Sequence, residues 1–253
     1  MLLNYKVMGE GHPLIVLHGF LGTLDNWVSF GRELSKTHKV YLIDQRNHGR
    51  SPHSEVFNYD VMVNDLLLLL EEHEIQQPVL LGHSMGGKVA MSFVKKYPEQ
   101  VSKLIVVDIA PKEYPQHHQR LFDGMTAIDL GSIASRQEAN TKMAAHVNSE
   151  GIRQFLLKNL ERNHQGFRWR PNIDVLKNKQ HEVLKGLDGE NLSALPAYFI
   201  KGGESNYILP EDRKDIKLKF PNAKILTIKG ASHWVHADKA EPFLKTIKHI
   251  LRD

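Results

Sequence analysis

Four short apolar runs along this chain end abruptly at a polar residue or a glycine: Leu14–Leu17 before His18, Val40–Ile43 before Asp44, Pro78–Leu81 before Gly82, and Leu104–Val107 before Asp108. Such runs are too short for buried helices and rich in β-branched residues, so they predict strands covered on both faces. Leu2–Met8, Ala197–Ile200 and Ala223–Ile228 extend the series. Helical patterns fall between them, over Asp25–Ser35, Tyr59–His73, Met85–Lys96, Glu211–Phe220 and Glu241–Leu251. The last carries Phe243, Leu244, Ile247, Ile250 and Leu251 on one stripe, whereas the consecutive leucines Leu66–Leu70 cover every face and predict a well-buried helix. Strands alternating with helices make an α/β fold, a doubly wound and mostly parallel sheet with its chemistry at the strands' carboxyl ends.

One stretch breaks the alternation. From about Lys112 to Gly189 no strand pattern is visible, while Ile152, Phe155, Leu156 and Leu160 recur at helical spacing and Gly166–Pro171 reads as a turn. The expected organisation is therefore a core made of residues 1–111 and 191–253, with residues 112–190 inserted as a helical cap. Helices that cannot bury all their apolar positions against themselves must cover something, and the strand ends are the nearest groove. Phe155, Trp169 and Trp234 are the candidates for lining a pocket there.

Gly82-His83-Ser84-Met85-Gly86 follows a predicted strand and opens a predicted helix. In that setting G-x-S-x-G is a nucleophile elbow: the serine sits on a sharp turn, and the flanking glycines remove side chains that would collide. Its hydroxyl then lies at a helix N-terminus, where free N–H groups favour developing negative charge. The same segment also spells Gly82-x4-Gly87-Lys88, a phosphate-binding loop except that Val89 stands where Ser or Thr must hold magnesium. Valine has no ligand to offer, so the nucleotide reading fails.

A serine nucleophile needs a base, a carboxylate to orient that base, and donors for the oxyanion. In this fold the chain order is Ser, then Asp or Glu, then His. His233 has the right address, in the loop Lys229–His233 after the last strand. Asp108, directly after a strand, and Glu204, in Lys201-Gly-Gly-Glu204, both qualify as the acid, and the cleaner strand end favours Asp108. The backbone N–H groups of Phe20 and Met85 are the expected oxyanion donors. Asp44 precedes the serine and reads as a loop brace. His233 and His236 without a third ligand are thin grounds for zinc, so no metal site is expected.

The chain lacks cysteine, which removes disulfide scaffolds, thiolate metal sites and cysteine nucleophiles. Its net charge of +4 divides into −2 for residues 1–111, +2 for 112–190 and +4 for 191–253. That mild, C-terminal excess fits a solvated helix face rather than a nucleic-acid groove. Met1–Lys6 shows no secretory pattern, and the longest aliphatic run, Leu66–Leu70, is far too short to span a bilayer. A cytoplasmic protein without nucleic-acid or membrane partners, monomeric or homodimeric, is the expectation.

Taken together, His18-Gly19, Asp44-x-Arg46-x-x-Gly49-x-Ser51, Gly82–Gly86 and Gly230-x-x-His233 resemble the α/β-hydrolase superfamily over essentially the whole chain. Arg46-Asn-His-Gly49, Val107–Pro111, Phe167-x-Trp169-Arg170 and Ser232–His236 resemble, more narrowly, the small YbfF-type bacterial esterases. The resemblance implies a helical lid, no cofactor, and hydrolysis of acyl esters or thioesters such as acyl-CoA. It also implies an acid after the sixth strand, which falls on Asp108. Many relatives carry the acid after the seventh strand, where this chain has Asn206, which is not a carboxylate. That argues against the carbon–carbon hydrolases and lyases of the fold, which remain the alternative enzyme; a non-catalytic ligand-sensing module is the alternative of another class.

Overall fold

The computed structural model describes residues 1–164 and 166–252. Its sheet contains β1 (Tyr5–Met8), β2 (Pro13–Leu17), β3 (Lys39–Ile43), β4 (Val79–His83) and β5 (Lys103–Val107). A two-stranded hairpin, β6 (Leu160–Asn163) with β7 (Gly166–Trp169), stands apart, and β8 (Ala197–Gly202) and β9 (Lys224–Ile228) complete the main sheet. The strand order is β1-β3-β2-β4-β5-β8-β9, parallel throughout except for antiparallel β1 against β3. This is the expected α/β fold. The order reverses between β2 and β4, the switch point where such sheets open a crevice at their carboxyl ends.

Register brings those ends level. Leu17 pairs with Gly82, His83 with Val107, and Val107 with Ile200, so the residues just beyond β2, β4, β5 and β8 emerge along one edge. Strand residues alternate between two apolar layers, as a two-residue side-chain period requires. Ile15, Leu17, Leu80, Leu104, Val106 and Phe199 face the helices Tyr59–Glu72 and Met85–Lys96 and the insertion. Leu14, Val16, Leu81, Ile105, Val107 and Ile200 face Trp27, Phe243, Ile247 and Ile250.

Three expectations need correction. The leucine-rich helix is not buried all round: Leu66, Leu69 and Leu70 are buried, but Leu68 is 44% exposed, because the helix packs against the molecule on one side only. The Asp25–Ser35 segment divides into a 3₁₀ turn, Leu24–Trp27, and a helix, Val28–Leu34. Between β5 and β8 the insertion holds five short helices (Gln119–Thr126, Arg136–Met143, Glu150–Leu157, Ile173–Asn178, Gln180–Leu184) and also the β6–β7 hairpin. Gly166–Trp169 is thus a strand, with Glu161 opposite Arg168 and bonded to it at 2.8 Å. Four-residue strands are too short to show alternation in sequence. Counted along this chain, the strand leading into the insertion is the fifth, the place that the resemblance numbers sixth.

Lys88, the lysine of the failed phosphate-loop pattern, is wholly buried. Its Nζ donates to Lys112 O at 2.8 Å, Leu184 O at 3.1 Å and Lys185 O, joining both ends of the insertion to the helix that follows Ser84. Three carbonyls take the three N–H donors of the ammonium and offset part of its desolvation, although burial still lowers Lys88 to about 7. Arg46 forms a second buried clasp, gripping Asp65 through Nε at 2.6 Å and Nη2 at 2.8 Å. Among the described residues no helix is long and apolar enough to cross a membrane.

Candidate active site

Ser84 leaves β4 with φ 52° and ψ −118°, a backbone conformation a side chain rarely adopts. The turn closes tightly enough that a Cβ on Gly82 would strike Gly86 O, and one on Gly86 would strike Leu17 O. Both positions therefore exclude any residue but glycine. Met85 opens the next helix, so its N–H lacks an intrahelical acceptor. Phe20 N–H likewise has no partner among the described residues. The turn containing Phe20 closes with Gly22 N–H donating to Gly19 O at 2.9 Å.

Asp108 follows β5 in the left-handed region as well, φ 50°, and is completely buried. Its Oδ1 accepts the Gly202 N–H at 2.8 Å, and its Oδ2 accepts the Ser205 hydroxyl and the His233 ring. The His233 Nδ1 to Asp108 Oδ2 distance is 2.9 Å. A carboxylate only accepts, so Nδ1 carries the proton and Nε2 is left as the basic nitrogen. Glu204, the competing acid, is exposed in its loop.

Tyr207 and His83 hold His233 further. Tyr207 stacks on the His233 ring, with centroids 3.7 Å apart and planes 16° apart. Its hydroxyl bonds His117 Nε2 at 2.7 Å. From beneath, His83 donates Nε2–H to the His233 carbonyl at 2.9 Å. Burial and the neighbouring His233 and His236 keep His83 well below the ordinary imidazole range, so it is a neutral donor. His236 forms no metal pair with His233; it lies flat on Trp27 at 4.1 Å, and among the described residues no cluster of three His, Asp or Glu side chains could hold a metal.

Ser84 and His233 open into one cavity of about 250 Å³. Phe20, Leu121, Ile152, Phe155, Tyr207 and Trp234 give it a mainly apolar wall, with His117 and His118 beside them. Phe155 from the insertion meets Trp234 from the core at 4.2 Å, and both line the cavity. Trp169 does not. It is absent from the cavity wall, and its indole N–H donates to Met125 O at 3.2 Å within the insertion, because its strand turns that side chain into the insertion's own packing. Asp44 is the brace it was expected to be, accepting the N–H groups of Leu24 at 2.8 Å and Arg50 at 2.9 Å.

Sequence reasoning missed Ser205 and Tyr207. Their signal lay in the loop that also carries Glu204, where the Gly202-Gly203 bend turns Ser205, and not its acidic neighbour, toward Asp108. It also missed the bonding of His18 and His48 around the Gly19–Gly22 turn. His18 accepts the Gln45 N–H at 3.0 Å and His48 accepts the Leu21 N–H at 3.1 Å. Both are acceptors only when neutral, and burial holds them at about 4 and about 3 respectively.

Residues 12–240 match the family of the alpha/beta hydrolase fold. The chain is 37% identical to Esterase YbfF of Escherichia coli, over 95% of this chain and 93% of that one. It is 38% identical to a sn-1-specific diacylglycerol lipase of Danio rerio, over 99% of this chain and 82% of that protein. Among solved structures, a marine microorganism esterase superposes with a TM-score of 0.95 at 39% identity, covering 98% of both chains. With the serine turn, the strand order and these matches in agreement, the chain belongs to the α/β-hydrolase fold family.

Proposed function

We propose that this protein is a serine hydrolase of carboxylic esters that works through an acyl-enzyme on Ser84. The observation carrying this reading is the 2.9 Å pairing of buried Asp108 with His233, which lines the same cavity as Ser84. His233 Nε2 takes the Ser84 proton as Oγ attacks the acyl carbon, and Asp108 stabilises the imidazolium that forms. The N–H groups of Phe20 and Met85 receive the oxyanion, a preorganised contribution worth about 10²–10³ in rate per donor elsewhere. The imidazolium then protonates the departing alcohol, and water, activated by the same nitrogen, releases the acid. Every one of these groups comes from the chain itself. The Gly202 N–H and the Ser205 hydroxyl each donate to the Asp108 carboxylate and hold it in place beside the His233 ring.

The aromatic and aliphatic wall suits an apolar acyl chain, and the printed names of the relatives, esterase and diacylglycerol lipase, support esters as the substrate class. Acyl thioesters undergo the same two steps and belong to the same proposal. The insertion serves as the cap of this site, contributing Leu121, Ile152 and Phe155 to the wall. A panel of p-nitrophenyl esters of increasing acyl length, assayed beside acyl-CoAs, tests the reading. Turnover that disappears in Ser84→Ala supports it; a folded Ser84→Ala variant with parental turnover overturns it.

A further inference from the structure

Leu21 follows Phe20 in the oxyanion turn with φ 58°, a left-handed conformation normally reserved for glycine or asparagine at the third position of a turn. A buried leucine keeps it only if its neighbours over-determine the backbone. Two side chains do so. His48 takes the Leu21 N–H at 3.1 Å, and Asn159 Nδ2 donates to the Leu21 carbonyl at 2.7 Å. His48 belongs to the core, but Asn159 belongs to the insertion, between the helix Glu150–Leu157 and β6.

Asn159 is built in firmly. It is 1% exposed, and its own carbonyl accepts the Arg170 N–H at 3.0 Å. Its Oδ1 has no partner among the described residues, so the amide is buried at a cost for the sake of one donated bond. Two residues beyond Arg170, Asn172 N–H donates to Asn47 O at 2.9 Å, beside His48. The insertion therefore reaches the oxyanion turn directly through Asn159 and steadies the loop carrying its other brace.

We infer that Asn159 is a positioning residue for the oxyanion hole: by holding the Leu21 carbonyl it keeps the turn in the conformation that aims the Phe20 N–H above Ser84. The inference rests on the proposed Ser84 mechanism and adds to it that the cap, besides walling the pocket, completes the catalytic geometry. Without the Asn159 bond Leu21 relaxes toward negative φ, its flanking peptides rotate, and the Phe20 donor leaves its place.

The test uses the full chain with Asn159→Asp, which keeps the shape but faces the Leu21 carbonyl with an acceptor, and Asn159→Ala as a second variant. Three readouts are taken: kcat per active site titrated with a fluorophosphonate, KM, and affinity for a boronic acid that mimics the tetrahedral intermediate. Expected is a fall of about 10- to 100-fold in kcat per titrated site, below the full loss of a donor. Boronate affinity falls by a similar factor and KM stays within about twofold. A residue that only stabilised the cap would lower the titrated fraction and the Tm, not kcat per site. Adding Leu21→Gly to Asn159→Ala should restore about tenfold or more, since glycine takes positive φ without a brace. Parental kcat per site and boronate affinity in the variant that folds, or no recovery in the double variant, overturns the inference. Failure of the underlying mechanism looks different: the parent itself would not titrate with the fluorophosphonate, and Ser84→Ala would turn over ester as the parent does.

Discussion

Replacing Lys88 by methionine preserves an apolar stem of similar length and removes only the ammonium that joins the core helix to both ends of the insertion. Three carbonyls lose their donor: Lys112 O, Leu184 O and Lys185 O. Leu184 is buried, and a carbonyl stranded there costs about 1–3 kcal/mol. Lys112 is half-buried and Lys185 exposed, so water reaches their carbonyls and the loss is smaller, about 0.5 kcal/mol each. Removing a buried charge offsets part of this. The net expectation is a loss of about 2 kcal/mol, which lowers the Tm of a chain this long by roughly 4–8 °C. The effect also carries a pH signature. Burial lowers Lys88 from 10.5 to about 7, so between those values the unfolded chain holds a proton that the folded chain has released. The Lys88 contribution to stability therefore grows as pH rises through that window. The methionine variant lacks that gain, and its deficit widens toward alkaline pH. Urea unfolding of both proteins at about pH 6.5 and about pH 9.5, with limited proteolysis at residues 112–118 and 184–190, reads both effects. Equal stability at both pH values and unchanged cleavage would refute the clasp.

Asp108→Asn should lower turnover by about 10³–10⁴ with the fold retained, because the amide favours the wrong imidazole tautomer, whereas Glu204→Gln should cost less than about tenfold; one activated ester assayed with both variants decides between them. Trp234→Ala should change the preference among acyl lengths, while Trp169→Ala should lower the Tm and leave that preference unchanged, as its packing within the insertion requires. His18 and His48 are buried and His236 is half-buried against Trp27, and desolvation holds them at about 4, about 3 and about 3. The unfolded chain protonates each of them near 6.5. Their neutral burial is fully accommodated above that value, and stability falls as the pH drops from it toward about 4, by up to about 1.4 kcal/mol per histidine per pH unit. Denaturant titrations between about pH 7.5 and 5 measure the slope.

The strand ends could be read from the sequence because parallel strands buried on both faces must be continuously apolar, and each of these runs stops where a turn or a polar side chain is needed. Addresses therefore came through well: Ser84, Asp108 and His233 stand at the ends of separate strands or in the loop beyond, and only register brings them together. What stayed hidden depends on contacts rather than pattern. The β6–β7 hairpin is shorter than any periodicity window, and nothing local told Trp169 which side it would face. Lys88 looked like half of a phosphate loop because its partners, Lys112, Leu184 and Lys185, are carbonyls, and a carbonyl leaves no mark in the sequence. The link from Asn159 to Leu21 spans 138 positions and ends on a backbone oxygen, so it too has no local signature.

The covalent intermediate offers the most direct test. The protein is treated with a fluorophosphonate, digested, and the modified peptide located by mass spectrometry, with Ser84→Ala as the control. Nucleophilic catalysis by Ser84 requires a single stoichiometric adduct on the peptide containing Gly82–Gly86, loss of esterase activity in step with labelling, and no adduct in the variant. Labelling at another residue, or undiminished ester turnover by a folded Ser84→Ala protein, would contradict it.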